Sequence, residues 1–218
     1  METSERASAI MERLAGLYPD AHTMLRYDGP FQLLISVILS AQTTDAGVNK
    51  VTPALFESFP DARSLASADP AAVEELIRPT GFFRNKTKAI MGAARMITAE
   101  YDGEVPDTMD DLVRLPGVAR KTANIVISNA FGKIEGIAVD THVFRLAHRF
   151  GLSAEKDPDK VERDLMGLFP RDEWFHINYR FIDHGRAVCT AKRPACGACA
   201  LSDLCPSAFT VAGWRDTV

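Results

Sequence analysis

The sequence has few cysteines and no long apolar run. Only 4 of its 218 residues are cysteine, which excludes a small secreted domain held by many disulfides. The longest apolar stretch, residues 31–41, is interrupted by polar side chains and is shorter than the roughly 18 residues that argue for a membrane span. The first residues lack a basic region followed by an apolar one, so we expect no signal peptide. We therefore expect a cytoplasmic protein without a membrane partner.

The chain also has little net charge, and its sign is negative. A net charge of −4 by itself argues against a nucleic-acid partner. The charges are unevenly distributed, however. Residues 112–152 carry six basic and two acidic side chains, and residues 180–193 carry four basic side chains against one acidic one. Such stretches can form one basic face that meets phosphates, although unrelated solvated helix surfaces explain the charges equally well.

Cap and turn residues divide the sequence into short helices. Aspartate followed by proline at residues 69–70 and 157–158 is a typical helix start. No pair of segments with alternating polarity indicates strands, so the predicted fold is all-α. Composition alone does not place a domain boundary. Predicted helices span residues 8–18, 31–41, 70–78, 86–101, 110–115, 119–131 and 158–169, and another begins after Asp140.

All four cysteines lie close together near the C-terminus, in the pattern C-x6-C-x2-C-x5-C formed by Cys189, Cys196, Cys199 and Cys205. In a reducing compartment, this density indicates a metal site rather than disulfides. The spacing favours a [4Fe–4S] cluster, because structural zinc sites usually combine two close cysteine pairs. Zinc and unmetallated thiols stay as alternatives. The bases Lys192 and Arg193 could either offset thiolate charge or reach a phosphate.

A second motif, LPGVARKTAN at residues 115–124, places a Pro-Gly turn between two helices. A tight turn of this kind exposes backbone N–H groups beside a helix N-terminus, where an anion such as a DNA phosphate can bind. Lys121 falls in the first turn of the second helix. The helix dipole there favours the neutral amine, which is the form that attacks an electrophilic carbon. A solvated surface lysine is the simpler alternative.

Four segments together resemble the endonuclease III family of helix–hairpin–helix DNA glycosylases. They are LPGVARKTAN, VDTHVFRLAHR at residues 139–149, SAQTTD at residues 40–45 and the cysteine pattern. The resemblance implies an all-helical fold of two domains flanking a DNA-binding cleft, with residues 23–135 as a helical barrel that carries the hairpin. Residues 1–22 plus 136–218 would form the second domain, with a [4Fe–4S] cluster on the four cysteines. The implied partner is double-stranded DNA with damaged bases or abasic sites, bound by a monomer.

The same resemblance assigns roles to individual residues. Lys121 matches the catalytic lysine and Asp140 the catalytic aspartate, although Asp140 is also a typical helix N-cap. Gln42 matches a residue that fills the gap left by an extruded nucleotide. Phe82 falls where the family inserts an apolar wedge, often leucine, with core packing as the alternative. Ala119 replaces a frequent second glycine of the hairpin. The remaining predicted DNA contacts are Gly117, Ala119, Arg120, Arg186, Lys192 and Arg193.

The resemblance implies a bifunctional DNA glycosylase and AP lyase that removes oxidised pyrimidines in base excision repair. Lysine would form a Schiff base with the sugar, and β-elimination would then cleave the abasic strand. An adenine-mismatch glycosylase of the same superfamily is an alternative, but such enzymes typically lack the lysine at position 121. A non-catalytic iron–sulfur or zinc module that binds DNA is a second alternative, and it would need neither Lys121 nor Asp140.

Overall fold

The computed structural model describes residues 1–218 and contains helices but no strand, which confirms the predicted all-α fold. None of its helices is both long and apolar enough to cross a bilayer. Eleven α-helices, numbered α1 to α11 in chain order, span Thr3–Leu17, Gly29–Leu39, Asp45–Ser58, Ala62–Ala66, Pro70–Ile77, Phe83–Glu100, Met109–Leu112, Arg120–Phe131, Thr141–Arg149, Pro158–Leu168 and Trp174–Ala187. Short 3-10 turns lie at Arg78–Thr80, Arg171–Glu173 and Cys196–Ala198.

The chain forms two compact units, of which one is the continuous segment Met24–Glu135 with α2 to α8. Its centre is α2, where residues 33–39 are all buried. Helices α6 and α8 pack against α2, and α4 and α5 pack against α6. A helix that is apolar on every face is stable only when it is surrounded. The burial predicted for residues 31–41 is confirmed for residues 33–39, whereas Phe31 is half-buried and Ala41, which lies beyond the end of the helix, is exposed.

The other unit combines Met1–Thr23 with Gly136–Val218 and holds α1, α9, α10 and α11. Helix α9 packs against α10 and α11, and α1 also contacts both of them. At its core, the rings of Phe150 and Phe181 meet edge to face with centroids 5.6 Å apart. The predicted apolar face after Asp140 is confirmed, because its members are all buried: Val143, Leu146, Ala147 and Phe150.

Several predicted helix starts agree with the structure because they depend on local hydrogen bonds. Asp69 caps α5 by accepting a bond from the Ala71 N–H at 3.1 Å, and Asp157 caps α10 in the same way. Thr108 caps α7, yet that helix ends at Leu112 instead of residue 115. Helix α6 begins at residue 83, earlier than the predicted residue 86. These ends are set by neighbouring turns, which periodicity does not resolve.

The helices α3, α4 and α11 are not predicted from the sequence. Helix α3 contains Pro53 in its interior, and proline removes a backbone donor there. Its start is nevertheless fixed by Thr44, whose hydroxyl accepts a bond from the Gly47 N–H at 3.1 Å. Helix α11 carries buried polar residues, including Asn178 and His184, and they interrupt its apolar period. Helix α4 is only five residues long.

Truncation of a core side chain of α2 should destabilise the fold measurably. Leu34 has no exposed surface, and a Leu→Ala change at such a site typically costs about 2–5 kcal/mol. We expect Leu34→Ala to lower the midpoint of thermal unfolding, followed by circular dichroism, by about 5–20 °C. Val113, in the same unit, is 41% exposed, so Val113→Ala should change the midpoint by only a degree or two. Equal shifts for the two variants would contradict the burial of α2.

Candidate active site and metal centre

The Pro-Gly turn lies in the hairpin that connects α7 to α8. The Val118 N–H donates to the Leu115 carbonyl at 3.1 Å, closing the turn, and both side chains are buried. Gly117 has φ +82°, and a Cβ there would lie 2.8 Å from Ala89 Cβ and 3.2 Å from Ile38 Cγ2. Only glycine combines this backbone angle with so close an approach. The hairpin is therefore held against α2 and α6 at one point.

Helix α8 starts directly after this turn. Its N-cap residue, Ala119, makes no side-chain cap hydrogen bond, so its side chain leaves the first N–H groups to other acceptors. Ala119 has φ −90° and ψ 168°, an ordinary extended conformation, and the methyl group therefore causes no backbone strain. Arg120 and Lys121 are the first two residues of the helix and are both half-buried. Gly117 and Ala119 are exposed.

Asp140 is the N-cap of α9, as its position in the sequence predicted. Its Oδ1 accepts hydrogen bonds from the N–H groups of His142 and Val143, both at 2.8 Å. Both cap bonds use one carboxylate oxygen, so Oδ2 lies outside the cap. Burial lowers the pKa of His142, against the opposing charge of Asp140. His142 Nδ1 accepts from the Arg145 guanidinium at 3.1 Å. This cap holds the carboxylate in one position beside a neutral imidazole.

Gln42 and Phe82 share an unusual backbone conformation. Their φ angles are +55° and +48°, and only two other non-glycine residues of the chain have a positive φ. Such a conformation is strained for a side chain with a Cβ, and strained residues concentrate at functional sites. Phe82 is also 64% exposed, so core packing does not explain it. The neighbouring Phe83 instead packs partly buried against the core.

The four cysteines converge on one pocket. Cys189 and Cys196 are buried, and Cys199 and Cys205 are half-buried. The pocket wall is otherwise mainly apolar, with Phe150, Val188, Pro194, Ala195, Ala208 and Val211 among its lining residues. Burial raises the pKa of the Cys205 thiol to about 11. Burial also raises the pKa of the Cys199 thiol, so a thiolate at either of these two sites is unfavourable alone, and a positively charged metal core that binds all four sulfurs fits this donor set.

Several polar groups lie within hydrogen-bonding distance of the cysteine sulfurs. Arg149 Nη1 donates to Cys189 Sγ at 3.2 Å, and the Leu201 N–H donates to Cys199 Sγ at 3.4 Å. His184 Nε2 lies 3.6 Å from Cys199 Sγ, while its Nδ1 lies 3.3 Å from the Tyr18 hydroxyl. Burial lowers the pKa of His184 to about 4. The sequence did not indicate roles for Arg149 and His184 at this site, because neither residue belongs to the cysteine pattern.

The basic side chains predicted near the cysteines are exposed. Lys192, Arg193 and Arg186 all reach solvent. The loop that carries Lys192 is held by Arg149, whose guanidinium donates to the carbonyls of Thr190 and Ala191, both at 2.8 Å. Arg149, rather than either loop base, contacts a cysteine sulfur. The loop bases Lys192 and Arg193 thus lie on the exposed surface.

Comparisons with known proteins agree with these features. A family model described as HhH-GPD superfamily base excision DNA repair protein matches residues 35–171. A second model, the iron-sulfur binding domain of endonuclease III, matches residues 189–205. The chain is 56% identical to an endonuclease III of Synechocystis, over 94% of this chain and 93% of that one. It is 38% identical to endonuclease III of Escherichia coli K12, over 90% and 92% of the two chains.

Solved structures are similar as well. The structure of a non-covalent endonuclease III–DNA complex matches with a TM-score of 0.92 and 42% identity, covering 96% of this chain and 98% of that one. A trapped covalent endonuclease III–DNA intermediate matches with the same TM-score and identity, and it covers 96% of this chain and 99% of that one. A thermostable thymine-DNA glycosylase, at 22% identity and a TM-score of 0.85, shares the fold.

Loss of one cysteine should remove the metal group. Cys196 starts the 3-10 turn within the pocket, and a cubane cluster needs four protein thiolates. Purified wild-type protein should be brown, with about four irons per chain and a broad absorbance near roughly 400 nm. We expect Cys196→Ser to lose most of this iron and most of the yield of folded protein. The control Ser202→Ala alters another residue of the pocket lining and should keep the iron.

Proposed function

Since the chain belongs to the endonuclease III family of base excision DNA repair proteins, we propose that it removes oxidised pyrimidines from duplex DNA through Lys121. The predicted enzyme class, DNA glycosylase with AP lyase activity, and the iron–sulfur cofactor are thereby confirmed. The position of Lys121 is the observation that carries the proposal. It is the second residue of α8, directly after a hairpin turn whose geometry only glycine permits.

The hairpin binds the phosphate backbone of the DNA and does not recognise the base sequence. The N–H groups at the start of α8 and the positive end of its dipole suit a phosphate oxygen. Gly117 and Ala119 are exposed and carry little or no side chain, so a phosphate can approach the backbone closely. Arg120, Arg186, Lys192 and Arg193 add the electrostatic attraction that dominates affinity for DNA.

Gln42 and Phe82 open the duplex. A damaged base inside the stack must be extruded before chemistry, at a cost of a few kcal/mol. The exposed Phe82 ring acts as an apolar wedge between neighbouring bases. Gln42, which is exposed and held at positive φ, fills the space that the extruded nucleotide leaves. Its amide can both donate to and accept from the unpaired base opposite.

Lys121 then provides the nucleophile. Its neutral Nζ attacks C1′ of the damaged nucleotide, the N-glycosidic bond breaks, and the base leaves with its bonding electrons and takes up a proton. The sugar ring opens, which gives an imine between Nζ and C1′. Removal of a proton from C2′ allows the C3′–O bond to break, so the 3′ phosphate leaves by β-elimination. Water finally hydrolyses the imine and returns the free lysine.

Asp140 assists this sequence as a fixed carboxylate. Oδ1 is occupied by the two cap bonds of α9, so the carboxylate is held in place without using both oxygens. A carboxylate beside the reacting sugar stabilises the positive charge that develops as the base leaves. It can also assist proton transfer during the reaction. The same residue therefore serves the fold and the chemistry.

The cysteine pocket serves the structure of the second domain. When bound, the [4Fe–4S] cluster supplies a compact crosslink between four cysteines. Arg149 fixes both Cys189 and the loop that carries Lys192, so the loop is positioned by the same contacts that surround the sulfurs. Residues 23–135 and residues 1–22 plus 136–218 act as the barrel domain and the cluster domain of a monomer. It works in the cytoplasm, on the DNA of the nucleoid.

Reduction of the imine tests the role of Lys121. Borohydride should trap a covalent adduct between wild-type protein and a duplex that contains a thymine glycol. Lys121→Gln should abolish both adduct and strand cleavage while keeping DNA binding, because glutamine has no nucleophilic amine. The exposed Lys50 supplies the control variant Lys50→Gln, which should trap normally. If borohydride still traps a covalent adduct with Lys121→Gln, the nucleophile is another residue.

The carboxylate of Asp140 can be tested without loss of its cap. Asparagine caps helices about as well as aspartate, so Asp140→Asn should keep the thermal midpoint of unfolding. Loss of the charge should slow single-turnover base release by about 10²–10⁴-fold, the usual range for general acid–base assistance. If base release stays within twofold of wild type, Asp140 is a structural cap only.

Charge reversal in the cysteine loop tests the proposed phosphate contacts. Lys192→Glu combined with Arg193→Glu should weaken binding to damaged and undamaged duplex alike. The slope of log affinity against log salt concentration should become shallower by about 2, since each lost phosphate contact removes about 0.9. Lys156→Glu with Arg163→Glu reverses two exposed charges elsewhere in the same unit, so it serves as the matched control. An unchanged slope in the loop variant would remove Lys192 and Arg193 from the interface.

A further inference from the structure

Lys86 is a buried lysine that the proposed chemistry does not use. It lies in the first turns of α6 and is only 5% exposed. Its Nζ donates to Thr43 Oγ1 at 2.6 Å and to the Thr80 carbonyl at 2.8 Å. Both partners are neutral oxygens, and burial lowers the pKa of Lys86. Burying an ammonium group costs free energy. Packing alone therefore does not explain why a lysine makes these two contacts.

The two partners of Lys86 belong to different loops. Thr43 follows Gln42 directly, and Thr80 lies two residues before Phe82. The Thr43 hydroxyl also donates to the Thr80 carbonyl, at 2.5 Å. Ammonium, hydroxyl and carbonyl thus form a closed triangle of hydrogen bonds that joins segments 37 residues apart in the chain. In this way Lys86 ties the Gln42 loop to the Phe82 loop.

Both tied loops contain backbone strain. Gln42 and Phe82 have positive φ, a strained conformation that persists only where the surroundings impose it. The strained turn at Phe82 has two anchors: Thr80 Oγ1 donates to the Ile77 carbonyl at 2.8 Å, and the Lys86 N–H donates to the Phe82 carbonyl at 3.1 Å. Lys86 therefore contacts the wedge loop through its backbone and through its side chain.

We propose that Lys86 is a positioning residue that holds Gln42 and Phe82 as one preformed pair for insertion into the duplex. This inference rests on the proposed function, because it takes Gln42 and Phe82 as the residues that enter the DNA. A pair that is already ordered loses less conformational freedom on binding than two independent loops. Lysine suits the task because one ammonium group can donate to acceptors on both loops. Lys86 acts through the two loops and does not touch the DNA.

The test compares a substrate that needs insertion with one that does not. Lys86→Met keeps the length and apolar stem but removes the donors. It should slow single-turnover base release from a thymine glycol duplex at least tenfold. On an abasic site in a single strand, which has no stack to open, its cleavage rate should stay within twofold of wild type. Lys88→Met removes an exposed lysine of the same helix and should leave both rates within twofold.

A combined variant separates positioning from a general loss of folded protein. If Lys86 acts through the inserted pair, adding Lys86→Met to Gln42→Ala with Phe82→Ala should slow cleavage of the duplex little further. Should Lys86→Met fail to fold, Thr43→Val breaks the same triangle with little change in shape and should show the same selective loss. Rates that fall equally on both substrates, or that do not fall, would overturn the proposal for Lys86. A wild-type protein that cleaves neither substrate would instead overturn the proposed function and this proposal with it.

Discussion

The close approach of the hairpin turn to α2 and α6 is the constraint on which the rest of the barrel unit depends. Gly117 leaves no room for a Cβ against Ala89 and Ile38, so the turn is locked to the two most central helices of its unit. Helix α2 can serve as a base for this contact because residues 33–39 are buried on all sides. The position of the turn then fixes where α8 begins, and with it the position of Lys121.

Several residues combine a structural task with a proposed functional one. Asp140 caps α9 with one oxygen, and the cap fixes the carboxylate to which we assign a part in the proposed chemistry. The strained backbone at Gln42 and Phe82 lowers the stability of the fold. The same conformation leaves both side chains exposed on two anchored loops. The buried Lys86 contributes further to this arrangement, since its ammonium group joins those loops. Function here is built from groups that the fold already holds rigidly.

In the unit that holds the four cysteines, contacts that stabilise the fold also position functional groups. Thiolates that share a metal core need charge compensation and hydrogen-bond donors, and the structure supplies Arg149, the Leu201 N–H and His184 around the sulfurs. Arg149 also binds the carbonyls of the loop that presents Lys192. The environment of the metal group and the placement of a basic surface loop are thus set by one guanidinium. Loss of the Arg149 guanidinium would therefore disturb both the surroundings of the sulfurs and the position of the loop.

The sequence alone determined the features that depend on neighbours within a few residues. Aspartate caps, glycine turns, the cysteine spacing and the LPGVARKTAN hairpin are local patterns, so the capped starts of α5, α9 and α10 could be predicted from them, and the motifs together indicated the family and its cofactor. Only the tertiary structure revealed that Phe82 is exposed while Phe83 packs on the core, and that Lys86 is buried. It also revealed α3 and α11, whose apolar periods are interrupted by Pro53 and by buried polar residues. Burial and long-range hydrogen bonds depend on which segments meet in space, and no local pattern encodes that.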